Sequence, residues 1–232
     1  MLDPRLFPEC ARAYSLRVDP QQHDLSRFNQ LHPLEQVLVS HAVAKRKAEF
    51  GDARWCAHQA LAQLHGDTGE PILRGERGMP LFPSSVSGSL SHTAGFRAAV
   101  VAPRLIVPAM GIDIEQAEPL PEGVFEAIAH GSEKTQIAQL MDSGIYCADR
   151  LLFCAKEATY KAWFPLSRRW LGFDEAEIKL YADGTFSSCI LAKPTPVPVI
   201  EGKWLIEDGY IVSTTAVYRA DLPEHYQFPI KG

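Results

Sequence analysis

The sequence has no long apolar run, no excess of positive charge and little cysteine. Its hydrophobic stretches, such as Ala98 to Ala102 and Ile190 to Ala192, fall far short of the roughly 20 residues needed by a membrane-spanning helix, so no membrane association is expected. A formal net charge of −5 supplies no basic field of the kind that draws nucleic acid. The five cysteines (Cys10, Cys56, Cys147, Cys154 and Cys189) are odd in number and include no Cys-x-x-Cys pair. They therefore suggest neither a disulfide framework nor a zinc site. The opening residues Met1-Leu2-Asp3-Pro4-Arg5 lack the basic-then-apolar form of a signal peptide, and a reduced, cytoplasmic protein is expected. What is present is 46% apolar content in 232 residues, enough to bury a large core as one domain or two small lobes.

The most informative stretch is Phe153-Cys154-Ala155-Lys156-Glu157-Ala158-Thr159-Tyr160-Lys161-Ala162-Trp163. At about 100° per residue, a helix here places Leu151, Cys154, Ala155, Ala158 and Ala162 in one apolar stripe. The stripe is mostly small, so the helix can lie close to a sheet or another helix. Arg150, Glu157 and Lys161 share a second flank, and Lys156 projects about a quarter turn away. Taken alone, Glu157 and Lys161 are an ordinary i,i+4 surface pair worth ~0.2–0.5 kcal/mol.

A second acidic element changes that reading. Gly111-Ile112-Asp113-Ile114-Glu115 alternates apolar and acidic residues, as a strand with one buried face does. Ile112 and Ile114 then face the core, and Asp113 and Glu115 share the opposite side. Neighbouring carboxylates raise each other's pKa unless a cation lies between them. Mg²⁺, a hard ion bound by oxygen and completed by water and phosphate, suits that position.

Together these two motifs resemble the paired signature of the 4'-phosphopantetheinyl transferases. More narrowly, they resemble the Sfp-type branch and its enterobactin-synthetase-component-D-like actinobacterial members. The continuation Trp163-Phe164-Pro165-Leu166-Ser167-Arg168-Arg169-Trp170-Leu171-Gly172-Phe173 extends the match, which runs from about Ala44 to Phe173. The resemblance implies an α+β fold of two similar α/β lobes related by a pseudo-twofold, with coenzyme A in the cleft between them. The lobes would divide near Pro108, as residues 1–108 and 109–232. It implies transfer of the 4'-phosphopantetheine arm of coenzyme A to a serine of an acyl or peptidyl carrier protein. Mg²⁺ is the expected metal, with Mn²⁺ as an acceptable replacement. Asp113, Glu115 and Glu157 become the metal candidates, and Asp113, Glu157 and Lys161 the catalytic ones. A monomer is expected, and the carriers are left open among those of fatty acid, polyketide, nonribosomal peptide and siderophore synthesis.

The coenzyme A contacts follow residue by residue. Lys45, Arg46, Lys47 and Arg54 gather on the stretch from Pro33 to Leu64, which reads as two helices broken at Gly51-Asp52, with Asp52 as a cap. A basic cluster at a helix end is commonly a dipole contact, but the family places an Arg-x7-Arg phosphate pair here, and Arg46 and Arg54 match it. Gly66 to Pro83 is a Gly/Pro-rich loop in which Arg74 takes the place of a nucleotide-binding basic residue, often Lys in relatives; the two differ in geometry. Ser87-Gly88-Ser89-Leu90-Ser91-His92 and Phe96 to Val101 read as strands joined at Thr93-Ala94-Gly95. There Ser91 and His92 match a third signature that contacts a coenzyme A phosphate. Lys156 would assist at the diphosphate or pair with a carboxylate.

Elsewhere the signal is thinner. Residues up to about Leu31 read as a loose lead-in. Gln116 to Cys147 carries mixed helical signal, with Leu120 and Phe125 as docking candidates for which core packing is the commoner fate. Pro165 should end the central helix. Strands follow at Glu177–Tyr181, Phe186–Leu191, Trp204–Ile206 and Tyr210–Tyr218, with hairpin signals at Asp183-Gly184 and Asp208-Gly209 and a proline-rich loop from Lys193 to Ile200. Arg168 and Arg169 offer a local basic spot for acidic carrier helices. Two other readings remain open at this stage: a Mg²⁺-dependent nucleotide phosphohydrolase and a coenzyme A-binding protein without activity.

Overall fold

The computed structural model describes residues 2–66 and 69–229; residues 67 and 68, within the Gly66–Pro83 loop, lie outside that range. The elements run β1 (Arg12–Arg17), α1 (Ser26–Gln30), α2 (Pro33–Val37), α3 (Ala44–His65), β2 (Leu73–Arg74), β3 (Pro80–Leu81), β4 (Val86–Thr93), β5 (Phe96–Pro103) and β6 (Ala109–Gln116). They continue with α4 (Val124–Ile128), α5 (Glu133–Asp142), α6 (Ala148–Ser167), β7 (Ala176–Leu180), β8 (Thr185–Ile190), β9 (Val199–Glu207) and β10 (Tyr210–Val217). Two main antiparallel sheets result, beside a small two-stranded one made of β2 and β3. One has the order β1-β5-β4 and carries α3; the other has the order β6-β10-β9-β8-β7 and carries α6. The expected α+β fold of two lobes is therefore present.

The sequence reading needs three corrections. The lead-in is not loose: β1 pairs with β5 from Arg12↔Val101 to Arg17↔Phe96. Tyr14 and Leu16 pack toward α3, whereas Ala13 packs toward the other sheet. Flanking arginines and Ser15 hide that alternation in the sequence. The helical break also lies elsewhere. α2 ends at Val37, and α3 runs unbroken through Gly51-Asp52. Gly51 is there for packing: a Cβ at this position would lie 2.7 Å from Phe28 Cβ, so glycine lets α1 press against α3. Asp52 caps nothing and instead accepts from Arg27 Nη1 at 3.0 Å. Finally, α6 passes through Pro165 to Ser167 and closes at Arg168, whose φ is 56° and whose N–H donates to Phe164 O. A proline in the last turn removes only one helical donor.

The C-terminal strands follow their pattern, although β9 begins at Val199, inside the expected loop. Asp208 and Gly209 have φ of 51° and 77°, the pair of positive values a two-residue type I′ hairpin requires.

The placement of α6 decides the rest. Leu151, Cys154, Ala155, Ala158 and Ala162 are all fully buried, as the small stripe predicts. A Cβ on Gly111 would lie 1.8 Å from Ala158 O, a carbonyl to which Thr215 Oγ1 donates at 2.9 Å. The glycine of the acidic strand motif is therefore what allows α6 to lie against β6. The two sheets meet through hydroxyls. Ser87 Oγ donates to Val107 O, Ile112 N donates to Ser89 Oγ, and Ile114 N donates to Ser91 Oγ. Alternate serines of β4 thus satisfy backbone groups along β6 and just before it that would otherwise be buried without a partner.

Candidate active site

Close packing of α6 on β6 brings the two sequence motifs face to face. Asp113 is buried; its Oδ1 accepts from Lys161 Nζ at 2.7 Å and from Ser91 Oγ at 2.9 Å. Lys161 also donates to Ile112 O at 3.0 Å and Ser91 Oγ at 3.3 Å. Burial works against the Lys161 charge, but Asp113 outweighs it and raises the ammonium pKa. Asp113 Oδ2, although buried, has no hydrogen-bond partner.

The other two carboxylates are held differently. Glu115 accepts from Arg150 Nη1 at 3.2 Å, and Arg150 also grips the Glu118 and Pro119 carbonyls. Glu157 lines the cleft one helical turn before Lys161. Burial first, then the Asp113 charge, push the pKa of both Glu115 and Glu157 upward.

Among the described residues no three Asp, Glu, His or Cys side chains close on one point as a metal cage. The donor set nevertheless suits Mg²⁺. An orphaned buried carboxylate oxygen and two carboxylates disfavoured by a third describe a site short of positive charge. Mg²⁺ keeps several waters and does not need an all-protein cage.

Opposite the acids stands a basic wall in the same cleft, a space of about 470 Å³ that holds Arg46, Arg54, Arg74 and His92 together with Asp113, Glu157 and Lys161. Arg46 Nη1 lies 3.2 Å from His92 Nε2. A guanidinium can only donate, so Nε2 accepts and the ring proton sits on Nδ1. Burial, then Arg46, push the His92 pKa down to about 4, so the imidazole is neutral. Glu49 Oε2 lies near both, at 3.7 and 3.8 Å.

Arg54 is 4% exposed. Its Nε lies 3.9 Å from the fully buried Glu35 and has no hydrogen-bond partner. Burial is the main cause that lowers its pKa to about 10. Glu35 is in turn held by His58 Nε2 at 3.0 Å and by Ile72 N at 3.2 Å. Arg74 is exposed on the loop facing the cleft.

The ammonium of Lys156 does not join this group. It forms a buried pair with Glu133 at 2.9 Å and donates to Phe173 O and Ala176 O, which occupies all three of its donors. This is the carboxylate pairing the sequence left open. Ser91 lines the cleft, but its hydroxyl is engaged by Asp113, Lys161 and Ile114 N. Phe125 packs on the core beside α6. Arg168 is half-buried against Met79, whereas Arg169 donates to the Lys193 and Pro194 carbonyls.

Sequence reasoning missed a second space of about 620 Å³, which continues past Glu157 and is lined by Tyr160, Trp170, Phe173 and Arg77. The Tyr160 and Trp170 rings meet at a tilt of 57° with centroids 5.2 Å apart, and the Arg77 guanidinium lies 5.2 Å from the Trp170 ring. Tyr160 stands inside the helix motif, one residue before Lys161. Helical spacing gave no reason to separate it from the packing residues. Arg77 is drawn in by a positive φ of 51°, which no local pattern announces.

Comparison with known proteins agrees with this geometry. Residues 34–102 match the model of the 4'-phosphopantetheinyl transferase N-terminal domain, and residues 109–215 match the 4'-phosphopantetheinyl transferase superfamily. The chain is 44% identical over 199 residues to 4'-phosphopantetheinyl transferase Npt of Nocardia iowensis, covering 80% of this chain and 88% of that one. It is 44% identical over 191 residues to PptT of Mycobacterium tuberculosis, covering 78% and 83%. It is also 41% identical over 198 residues to Svp of Streptomyces mobaraensis, covering 81% and 78%. With its acidic strand, its Lys-Glu helix and its arginine wall joined in one cleft, the chain belongs to the 4'-phosphopantetheinyl transferase superfamily, in its Sfp-type branch.

Proposed function

We propose that the protein transfers the 4'-phosphopantetheine arm of coenzyme A to a serine hydroxyl of acyl or peptidyl carrier proteins, releasing adenosine 3',5'-bisphosphate. One observation carries this reading: four basic or imidazole groups and the acid–lysine cluster share a single cleft. That is the charge layout a substrate with a ribose phosphate at one end and a diphosphate in its middle requires. The two lobes divide near Pro108, so that residues 1–108 supply the nucleotide-end contacts and residues 109–232 the chemistry.

Arg46, Arg54 and His92 bind the 3'-phosphate, and Arg74 covers the nucleotide. Arg54 suits this role because its guanidinium lines the cleft and its Nε, 3.9 Å from Glu35, makes no hydrogen bond. A phosphate beside His92 would reverse the low pKa that burial and Arg46 impose. Asp113, Glu115 and Glu157 hold Mg²⁺, directly or through water. When bound, the ion screens the diphosphate and stabilises charge on the departing phosphate. Lys161 contacts a diphosphate oxygen. Its 3.3 Å bond to Ser91 is the longest of its three and the one a phosphate oxygen replaces most readily. Glu157 accepts the proton of the carrier serine as that oxygen attacks the phosphorus bearing the pantetheine arm. The bond from that phosphorus to the nucleotide-side oxygen breaks. The uncharged arm extends past Glu157 into the space walled by Tyr160, Trp170 and Phe173.

Incubating the protein with coenzyme A, Mg²⁺ and apo-carrier proteins, then weighing the products, tests the reading. The expected product is a carrier heavier by one phosphopantetheine. Free phosphopantetheine or phosphate beside an unchanged carrier would mean a hydrolase instead.

A further inference from the structure

The proposed metal site leaves a question of aim: what decides which oxygen of Asp113 stays free. Asp113 sits on β6 opposite β4, where Ser87, Ser89 and Ser91 lie on one face. Ser87 and Ser89 make no contact with the carboxylate: the first donates to Val107 O and more distantly to Ala102 O, and the second accepts from Ile112 N. Ser91 repeats the seam contact with Ile114 N, but it is the serine whose hydroxyl also meets the carboxylate, at 2.9 Å from Oδ1.

Donor counting fixes the direction of that bond. A serine hydroxyl has one proton and two lone pairs. Ile114 N–H and the Lys161 ammonium can only donate, so at 3.1 and 3.3 Å they take the two lone pairs. The single proton then goes to Asp113 Oδ1. Lys161 donates to the same oxygen. Both partners thus converge on Oδ1, while Oδ2 is buried with none.

We propose that Ser91 is a positioning residue that, together with Lys161, locks Asp113 through Oδ1 and leaves Oδ2 as the free oxygen for a divalent cation. The inference rests on the reading of Asp113 as a metal ligand. It moves Ser91 from contacting coenzyme A to orienting the carboxylate, as partners of metal ligands commonly do.

The test is Mn²⁺ binding, followed by the electron paramagnetic resonance signal of free Mn²⁺ with coenzyme A present and no carrier. Ser91→Ala should weaken Mn²⁺ binding about 10–100-fold. Ser89→Ala, which removes the equivalent seam contact without touching Asp113, should leave it within about twofold of wild type. At saturating Mg²⁺ the Ser91→Ala variant should keep the wild-type KM for coenzyme A. Should that variant fail to fold, Ser91→Cys keeps the shape with a much weaker donor and should still weaken Mn²⁺ binding. Wild-type Mn²⁺ affinity in whichever variant folds would overturn the proposal, as would equal losses from Ser89→Ala. A wild-type protein that binds no Mn²⁺ would remove the metal reading and Ser91's role together. Wild-type binding with unchanged variants would remove Ser91's role alone.

Discussion

The two walls of the cleft are built in opposite ways. On the acidic wall, short side chains on a strand and a tightly packed helix are tied to one another: Asp113 to Lys161 and Ser91, and Lys161 to a backbone carbonyl. On the basic wall, side chains reach in from α3, β2 and β4, and apart from the Arg46–His92 contact at 3.2 Å their ion pairs are loose. Arg54 is 3.9 Å from Glu35 and Arg46 is 3.7 Å from Glu49, and Arg74 is exposed. Rigid groups suit a transition state that must be met without reorganisation. Long, under-partnered cations suit holding a substrate phosphate, which supplies the missing acceptors. The contrast predicts that damage to the acidic wall lowers kcat, whereas damage to the basic wall raises the KM for coenzyme A.

The largest effects test the first half. Glu157→Ala should lower carrier modification by at least about 10²–10⁴-fold, the range for losing a general base, with circular dichroism unchanged. Lys161→Met should lower kcat by about 10²–10³, as for loss of one charge-stabilising donor. A change confined to KM would place Lys161 with the basic wall instead. For that wall, Arg46→Ala and His92→Ala should each raise the KM for coenzyme A about tenfold or more, the worth of one charged hydrogen bond. Dephospho-coenzyme A should erase much of the difference; an undiminished penalty would move these residues off the 3'-phosphate.

Stability separates Lys156 from its neighbour. Lys156→Met strands a fully buried Glu133 carboxylate and should cost about 3–5 kcal/mol by denaturant unfolding. Glu157→Gln should do the reverse on a small scale. A carboxylate whose pKa is raised in the folded state weakens folding once the pH exceeds its ordinary value. The variant should therefore match or exceed wild-type stability at neutral pH, and the difference should vanish at low pH, where the acid is protonated in both states. The smallest effect is a titration. The His92 imidazole, at about 4 in the free protein, should move upward in nuclear magnetic resonance when coenzyme A binds. A pKa already near 6.5 without ligand would contradict the burial of the ring and its arginine contact.

Much of this was legible in the sequence, for a definable reason. The strand and helix motifs obey periods of 2 and 3.6, so the face carrying Asp113 and the flank carrying Glu157 and Lys161 could be read from spacing. The small residues of α6 already announced close approach, whereas the matching role of Gly111 shows only where Ala158 O lies against it. What escaped depended on distant partners. Gly51 reads as a break until Phe28 is known to fill the space beside it. Lys156 reads as either a diphosphate contact or a carboxylate partner until Glu133 meets it from α5. Arg77 and Trp170 meet only after the chain has folded, and Ser91's bond to Asp113 depends on the seam between the sheets.

The central claim is that a helix glutamate and a strand aspartate act together on the diphosphate of coenzyme A. The most direct measurement is the mass of an apo-carrier after incubation with coenzyme A, Mg²⁺ and either the wild-type protein or its Glu157→Ala variant. The account predicts one added phosphopantetheine with the wild type and none with the variant at equal time and concentration. Modification by the variant at the wild-type rate would contradict it.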